Sequence, residues 1–200
     1  MINRERPGRQ TLCPLTYLFD SDILEKATLT TAMKKVIYIL NDLVKKGIVE
    51  RYAIGGAVAV IFYAETLNTK DVDVFVTTHV TRSKTGIVHL GSIYEHLKKA
   101  GYKMEGQYFI IDGVPVDFIA AYDELTLEAV DDAVGRLYDK IKVKVFRPEY
   151  LIAIALQTGR PQDLRKIDLL TTETKLDGKL LKDILKRHGL IEKWRSYNNG

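Results

Sequence analysis

The chain has 200 residues, of which 46% are hydrophobic and 28% charged, and its formal net charge at pH 7 is +4. These values are typical of a globular protein with a buried core, and they argue against a disordered chain or a coiled coil. The longest stretch without charged or strongly polar side chains is residues 52–64, whereas a membrane-spanning helix needs about 20 residues, so we expect no membrane segment.

The amino terminus and the cysteine content indicate the compartment. Residues 1–10 carry charges and a proline where a signal peptide would have an apolar stretch, so we expect no export signal. Cys13 is the one cysteine in the sequence, which excludes an intrachain disulfide and fits a reducing environment. We therefore expect a cytoplasmic protein.

The basic excess lies near the carboxyl terminus. Residues 160–195 contain ten basic and six acidic side chains, and a stretch of this kind can attract a phosphate-rich ligand. A solvated helix face is the alternative interpretation for any single lysine. The sequence has no basic run interleaved with aromatic residues, so a nucleic-acid-binding role does not follow from its pI of about 9.0.

Helical and strand patterns alternate in the first half of the chain. Apolar residues recur at helical spacing in residues 31–46, which predicts an amphipathic helix that ends at Gly47. An apolar segment, residues 51–54, runs into a Gly-Gly pair, and the alanine-rich stretch 57–66 then predicts a buried helix. Residues 71–76 alternate charged and β-branched side chains, which is typical of a strand.

The second half continues with mixed elements and then becomes helical. Asp112-Gly113 predicts the two-residue turn of a hairpin that spans residues 108–119, with Ile111 opposite Val114. The remaining patterns predict a helix at 91–100, a helix at 123–134, a strand at 140–146, and three closing helices that begin at Pro148, at Pro161 and before Leu181.

Three aspartates on predicted strands form the first candidate site. Asp71 and Asp73 are two residues apart on one strand, so their carboxylates point to the same side. Asp117 lies among Val, Phe and Ile side chains on a later strand, where an isolated charge would be unfavourable. Carboxylates that converge repel one another unless a cation lies between them, and such hard oxygen ligands suit Mg²⁺. Three of them would support a two-metal mechanism of phosphoryl or nucleotidyl transfer.

The Gly55-Gly56 pair is the second part of this pattern. Without β-carbons, the two glycines let the backbone approach a ligand closely. The helix that opens at Ala57 would present its first N–H groups to a triphosphate. Taken singly, a Gly-Gly pair is most often a turn, and an Asp-x-Asp pair is most often a solvated or salt-bridged surface pair. A Gly-Gly pair followed by an Asp-x-Asp pair and then by a third aspartate on a later strand is a more specific signal of a functional site.

This combination resembles the signature of the DNA polymerase β-like nucleotidyltransferase superfamily. The segment YAIGGAVAVIFYAETLNTKDVDVFV is similar to that of the small prokaryotic branch, which includes minimal nucleotidyltransferases and abortive-infection toxins. The resemblance covers residues 32–172, because RPEYLIAIALQTGRPQDLRKIDLL is similar to the helical region after the catalytic core. It implies an α/β (α+β) fold with a mixed sheet flanked by helices and a carboxyl-terminal helical bundle. We expect an extension at 1–30, a nucleotidyltransferase-like core at 31–146 and a helical region at 147–200.

The resemblance also implies an activity, which is the transfer of a nucleoside monophosphate from an NTP to an acceptor hydroxyl with release of pyrophosphate. The acceptor would be a protein, an RNA or a small molecule. Mg²⁺ or Mn²⁺ would be the cofactor, and Asp71, Asp73 and Asp117 would be both the metal ligands and the catalytic residues. The residues assigned to nucleotide binding are Gly55, Gly56, Ala57, Lys70 and Arg160.

Two alternatives stay open at this stage. The toxins of this branch carry lysines where Ala155 and Gln162 stand here, which favours a catalytically degenerate nucleotide-binding protein or a partner in a toxin–antitoxin-type pair. A nucleic-acid-binding module that uses residues 160–195 is the second alternative, and a steep salt dependence of binding would distinguish it.

Overall fold

The computed structural model describes residues 23–64, 69, 71–78 and 90–199. Within these residues the chain forms seven strands and eight helices. The strands are β1 (Arg51–Ile54), β2 (Val72–Thr77), β3 (Lys103–Glu105), β4 (Tyr108–Ile111), β5 (Val114–Ala120), β6 (Val134–Tyr138) and β7 (Ile141–Val145). The helices are α1 (Ile23–Lys45), α2 (Gly56–Ile61), α3 (Gly91–Lys99), α4 (Glu124–Asp131), α5 (Pro148–Thr158), α6 (Pro161–Glu173), α7 (Gly178–Arg187) and α8 (Ile191–Asn199).

The seven strands form one mixed sheet in the order β3-β4-β5-β2-β1-β7-β6. Strand β2 pairs in parallel with β5, and β1 pairs in parallel with β7, whereas the other neighbours are antiparallel. Consequently β2 lies between β1 and β5 in the interior of the sheet. Side chains on β2 can therefore be reached from residues on both neighbouring strands.

Successive side chains of β2 point to opposite faces of the sheet, and one of these faces is covered by the hydrophobic core. Val72, Val74 and Val76 are buried, and the side chains between them point to the opposite side of the sheet. Helix α1 contacts β1, β4, β5 and β7, and α4 contacts β1 and β2. On the carboxyl-terminal side, α5 contacts α2, α4, α6 and α7, and α6 also contacts α2, so the last helices pack against α2 and α4.

The mixed sheet, its flanking helices and the helical carboxyl-terminal region confirm the predicted fold class. The hairpin is confirmed in its register, because Ile111 pairs with Val114. Pro115 is tolerated because it is the second residue of β5 and precedes the ladder with β2, which starts at Val116. Within the described residues, no helix has both the length and the apolar character that crossing a bilayer requires.

Several element boundaries differ from the expectations. Helix α1 begins at Ile23 rather than at residue 31, and α2 ends at Ile61. Strands β3 and β6 were not expected. The carboxyl-terminal region has four helices instead of three, because Gly189 adopts a φ of 65° and separates α7 from α8. The expectations for Cys13 and for most of the extension at 1–30 concern residues outside the described ones.

Candidate active site

The three aspartates lie together where β2 and β5 run side by side. Asp73 is the register partner of Asp117 across the parallel pair. Side chains at paired positions of neighbouring strands lie on the same face of a sheet, so these two carboxyl groups are neighbours. Asp71 lies two residues before Asp73 and shares its face. The fold therefore gathers carboxylates that are 46 positions apart in the sequence, from Asp71 to Asp117.

Gly55 and Gly56 lie directly beside these carboxylates. The Gly55 N–H donates to the Asp73 carbonyl oxygen at 2.9 Å, which attaches the start of α2 to β2. A β-carbon at Gly56 would lie 1.7 Å from Asp73 Oδ2, and a β-carbon at Gly55 would lie 2.6 Å from the Phe75 ring. Gly56 also has a φ of 55°, a left-handed conformation that glycine adopts without strain. Both glycines are thus required for close packing of the helix start on the strand.

The pKa values show that the carboxylates repel one another. The pKa of Asp73 is raised to about 6, mainly by burial and then by the neighbouring charges of Asp71 and Asp117, whereas Lys166 and Arg160 oppose the rise. Burial also raises the pKa of Asp117; the Gln107 amide, which donates to Asp117 Oδ2 at 2.5 Å, opposes the rise, and Asp71 adds to it. Concentrated negative charge of this kind is stabilised when a cation binds.

A cleft of about 590 Å³ opens over the carboxylates. Asp71, Asp73 and Asp117 line one side of it, and Arg160, Arg165 and Lys166 of the α6 region line another. The other residues of the lining are Ala57, Thr69, Gln107, Tyr108, Ile119 and Gln162. A smaller cavity of about 120 Å³ adjoins it, since Asp73, Arg160 and Lys166 border both. The cleft thus combines acidic and basic side chains that face the same space.

The junction between α5 and α6 places the basic side chains. Gly159 ends α5 with a φ of 67°, and Pro161 begins α6 immediately after Arg160. This sharp turn brings the start of α6 to the cleft. The buried Asp163 accepts hydrogen bonds from Arg160 Nε at 2.6 Å and from Lys166 Nζ at 2.8 Å.

Comparison of the sequence with protein-family models identifies the family of this chain. The model of a family described as nucleotidyl transferase of unknown function (DUF2204) matches residues 32–192. The chain belongs to this family. No sequence match was found among curated proteins.

The chain is also similar to solved structures at low sequence identity. One is an antigenic nucleotidyltransferase-like protein from Paracoccidioides brasiliensis, which is 17% identical over 86% of this chain and 91% of its own, with a TM-score of 0.50. Another is the antibiotic-resistance factor ANT(2'')-Ia, which is 14% identical over 86% of this chain and 96% of its own, with a TM-score of 0.48. The match to the nucleotidyl transferase family model confirms the nucleotidyltransferase assignment predicted from the sequence.

Most of the predicted site residues lie at the cleft of this nucleotidyl transferase family member. The three aspartates, Ala57 and Arg160 line it, and Gly56 lines the smaller adjoining cavity. Gly55 packs behind them, against the Phe75 ring. Lys70 lies outside the described residues.

Among the cleft residues that the sequence interpretation did not assign to the site are Gln107, Tyr108, Arg165 and Lys166. Gln107 and Tyr108 lie at the start of the hairpin and carry no motif, although the charge of Asp71 raises the pKa of Tyr108. Arg165 and Lys166 lie on the side of α6 that includes Gln162. Their spacing of three and four residues from Gln162 was a signal that they share its helix face. Basic groups are thus present at this cleft, although the resemblance stated above would place lysines where Ala155 and Gln162 stand.

The donor atoms of the cleft are suited to a hard divalent cation. Among the described residues, no three His, Cys, Asp or Glu side chains are arranged so that they could hold a metal ion as they stand. Two of the three aspartates are engaged in hydrogen bonds, since Thr69 Oγ1 donates to Asp71 Oδ1 at 3.1 Å and Gln107 donates to Asp117. The donor set itself consists of carboxylate oxygens, which Mg²⁺ and Mn²⁺ prefer. Rotation of the Asp71 and Asp117 side chains away from these partners would free their oxygens.

Proposed function

We propose that this protein is a divalent-metal-dependent nucleotidyltransferase that transfers a nucleoside monophosphate from an NTP to an acceptor hydroxyl. The observation that carries the proposal is the register of Asp73 opposite Asp117, directly beside Gly56, in a chain of a nucleotidyl transferase family. In the reaction, the acceptor oxygen forms a bond to the α-phosphorus. The bond from that phosphorus to pyrophosphate breaks, and the acceptor proton passes to a base.

The acidic residues of the cleft would hold the metal and accept the proton. Asp71 and Asp73 would bind Mg²⁺ or Mn²⁺, and the ion would neutralise charge on the phosphates. Asp117 would complete the metal site or take the proton of the acceptor hydroxyl. Its raised pKa suits the second role, since a base is most effective when its pKa is close to the working pH.

The basic side of the cleft and the start of α2 would bind the phosphates. Arg160, together with the newly found Lys166, would pair with the phosphate charge, and the resemblance adds Lys70 to this group. The N–H groups at Gly56 and Ala57 would donate to the distal phosphates, because the first N–H groups of a helix have no acceptor within that helix. Gly55 would contribute by letting the backbone approach, since its own N–H donates to the Asp73 carbonyl oxygen. Catalysis would then come from positioning and charge stabilisation.

The direct test is incubation with α-³²P-labelled NTPs and Mg²⁺ or Mn²⁺ in the presence of protein, RNA and small-molecule acceptors. Label that moves to one acceptor class, with stoichiometric release of pyrophosphate, supports the proposal and identifies the acceptor. A chain that releases no pyrophosphate from any of the four NTPs with either metal is not a nucleotidyltransferase.

The second candidate is a catalytically degenerate protein that binds nucleotide or acts as a toxin–antitoxin-type partner. The hydrogen bonds that engage Asp71 and Asp117, and the substitutions at Ala155 and Gln162, favour it. Calorimetry separates the two candidates. NTP binding that needs no divalent metal, without turnover, supports the degenerate protein, and capture of a cytoplasmic partner protein would support the second form of this candidate.

A further inference from the structure

Asp163 is a buried carboxylate that the proposed reaction does not use. Only 3% of the residue is exposed, and both carboxylate oxygens are engaged. Oδ2 accepts from Thr158 Oγ1 at 2.8 Å and from Arg160 Nε at 2.6 Å, and Oδ1 accepts from Lys166 Nζ at 2.8 Å. Burial would raise the pKa of this carboxyl, but the hydrogen bonds from Arg160, Lys166 and Thr158 outweigh it and lower the pKa to about 2. Asp163 is therefore charged throughout the physiological range.

The three donors come from three places around the α5–α6 turn. Thr158 is the last residue of α5, Arg160 precedes α6, and Lys166 lies in its second turn. Asp163 thus binds both ends of the turn and both cations at once. A carboxylate that accepts several charge-assisted hydrogen bonds fixes its partners strongly, because such bonds are about twice as strong as neutral ones.

Two partners of Asp163, Arg160 and Lys166, line the 590 Å³ cleft, whereas Asp163 itself does not. The Arg160 side chain is 61% exposed, so without a partner it would sample many rotamers. Its bond to Asp163 uses Nε and leaves the terminal guanidinium N–H groups for another acceptor. Lys166 likewise keeps donors after one bond to Asp163. Both cations act electrostatically on Asp73 and oppose the rise of its pKa, which places their charge close to the carboxylate centre.

We propose that Asp163 is a positioning residue that holds Arg160 and Lys166 toward the phosphates of the bound NTP without contacting the substrate. This inference rests on the proposed function. Asp163 lines the smaller cavity behind the cleft and supports the two cations from there. Supporting residues of this kind change the affinity of a site about 10–100-fold when they are removed.

The experiment compares Asp163→Asn with the double variant Arg160→Gln/Lys166→Gln and with the triple variant that combines them. Two ligands are titrated, MgATP and pyrophosphate without metal. Asp163→Asn is expected to weaken binding of both about 10–100-fold, with a larger effect on KM than on kcat. In the double variant, the added Asp163→Asn change is expected to have no further effect, because a residue that acts through two others is coupled to them. Asp183→Asn, an exposed position on α7, is the control.

Three outcomes would overturn the inference. These are an unchanged affinity in Asp163→Asn, an additive loss in the triple variant, and a loss that only follows the unfolded fraction in a parallel urea titration. Failure of the proposed function gives a different result. In that case pyrophosphate binding depends on Asp163 as described, but no NTP is turned over. If wild-type protein binds neither ligand, both proposals are rejected.

Discussion

Gly56 and Asp73 are in direct contact, so that a β-carbon on Gly56 would lie 1.7 Å from the Asp73 carboxylate oxygen. The left-handed φ of 55° at Gly56 is a second, independent reason for glycine at this position. The contact joins the start of α2 to the carboxylate centre. Any side chain at residue 56 would displace the group that is proposed to bind metal.

Gly56→Ala is therefore expected to abolish nucleotidyl transfer and to destabilise the fold by about 1–3 kcal/mol, the usual range for strain at a non-glycine residue in this conformation. Turnover of labelled NTP and urea unfolding measure the two effects. Gly91→Ala is the matched control, because Gly91 begins α3 and a β-carbon there would meet no atom within 4 Å. Wild-type turnover in Gly56→Ala would contradict the contact.

Replacing each aspartate of the centre by asparagine is expected to lower turnover at least 10²–10³-fold, as loss of one charge-stabilising group does in other enzymes. Asp71→Asn, Asp73→Asn and Asp117→Asn each keep the size of the side chain, so circular dichroism should match that of the wild type. Asp183→Asn on the exposed surface of α7 should keep full activity. Retained activity in both Asp71→Asn and Asp73→Asn would reject the assignment.

The carboxylate centre could be predicted from the sequence because its parts have local signals. Asp71 and Asp73 stand out by alternation, and Asp112-Gly113 sets the hairpin register that places Asp117. Parallel pairing of β2 with β5 then completes the site, and this pairing is non-local. From the sequence, convergence of the aspartates could be inferred only because each lies on a predicted strand and because the family resemblance implies it.

The missed elements lacked such signals. Strand β3 has three residues that are partly or fully exposed, so it shows no apolar alternation. Strand β6 is an edge strand whose middle residues, Gly135, Arg136 and Leu137, are all exposed. The position of Lys166 depends on the angle between α5 and α6, which the αL conformation of Gly159 and the Asp163 hydrogen bonds set. The hydrophobic periodicity of one helix does not predict the angle between that helix and the next.

The raised pKa of Asp73 predicts that Asp73→Asn is more stable than the wild type when no metal is present. The folded protein holds this proton up to a pKa of about 6, whereas the unfolded chain releases it near 3.8. Between pH 3.8 and about 6, the free energy of unfolding of the wild type falls as the pH rises. Above about pH 6, the charged Asp73 lowers it by the full amount of about 2–3 kcal/mol. Urea unfolding in EDTA at pH 7 should show Asp73→Asn as the more stable protein. The difference should shrink toward pH 4, and a difference that does not depend on pH would exclude this explanation.

Added divalent metal is expected to reverse that order. Mg²⁺ or Mn²⁺ would remove the repulsion among the carboxylates and bind the folded state, so the Tm of the wild type should rise with metal concentration. Asp73→Asn should show a smaller rise, because one ligand and its charge are missing. The measurement is differential scanning fluorimetry with Mg²⁺, with Ca²⁺ and with KCl at matched ionic strength. An equal rise in both proteins would place the binding of metal elsewhere.

The Glu128 carboxylate of α4 pairs with the carboxyl-terminal end of α7, and this contact gives the last prediction. Glu128 accepts from His188 Nε2 at 2.5 Å and also pairs with Arg187. Burial would raise the pKa of Glu128, but these hydrogen bonds lower it below the ordinary value of 4.5, so this stabilisation is present above pH 4.5 and is lost in more acidic solution. Glu128→Gln is expected to lower the free energy of unfolding by about 1–2 kcal/mol at pH 7. Glu192→Gln, at an exposed pair with Arg195, should change it by less than about 0.5 kcal/mol. Equal stabilities of the two variants would show that the contact between α4 and α7 contributes nothing to folding.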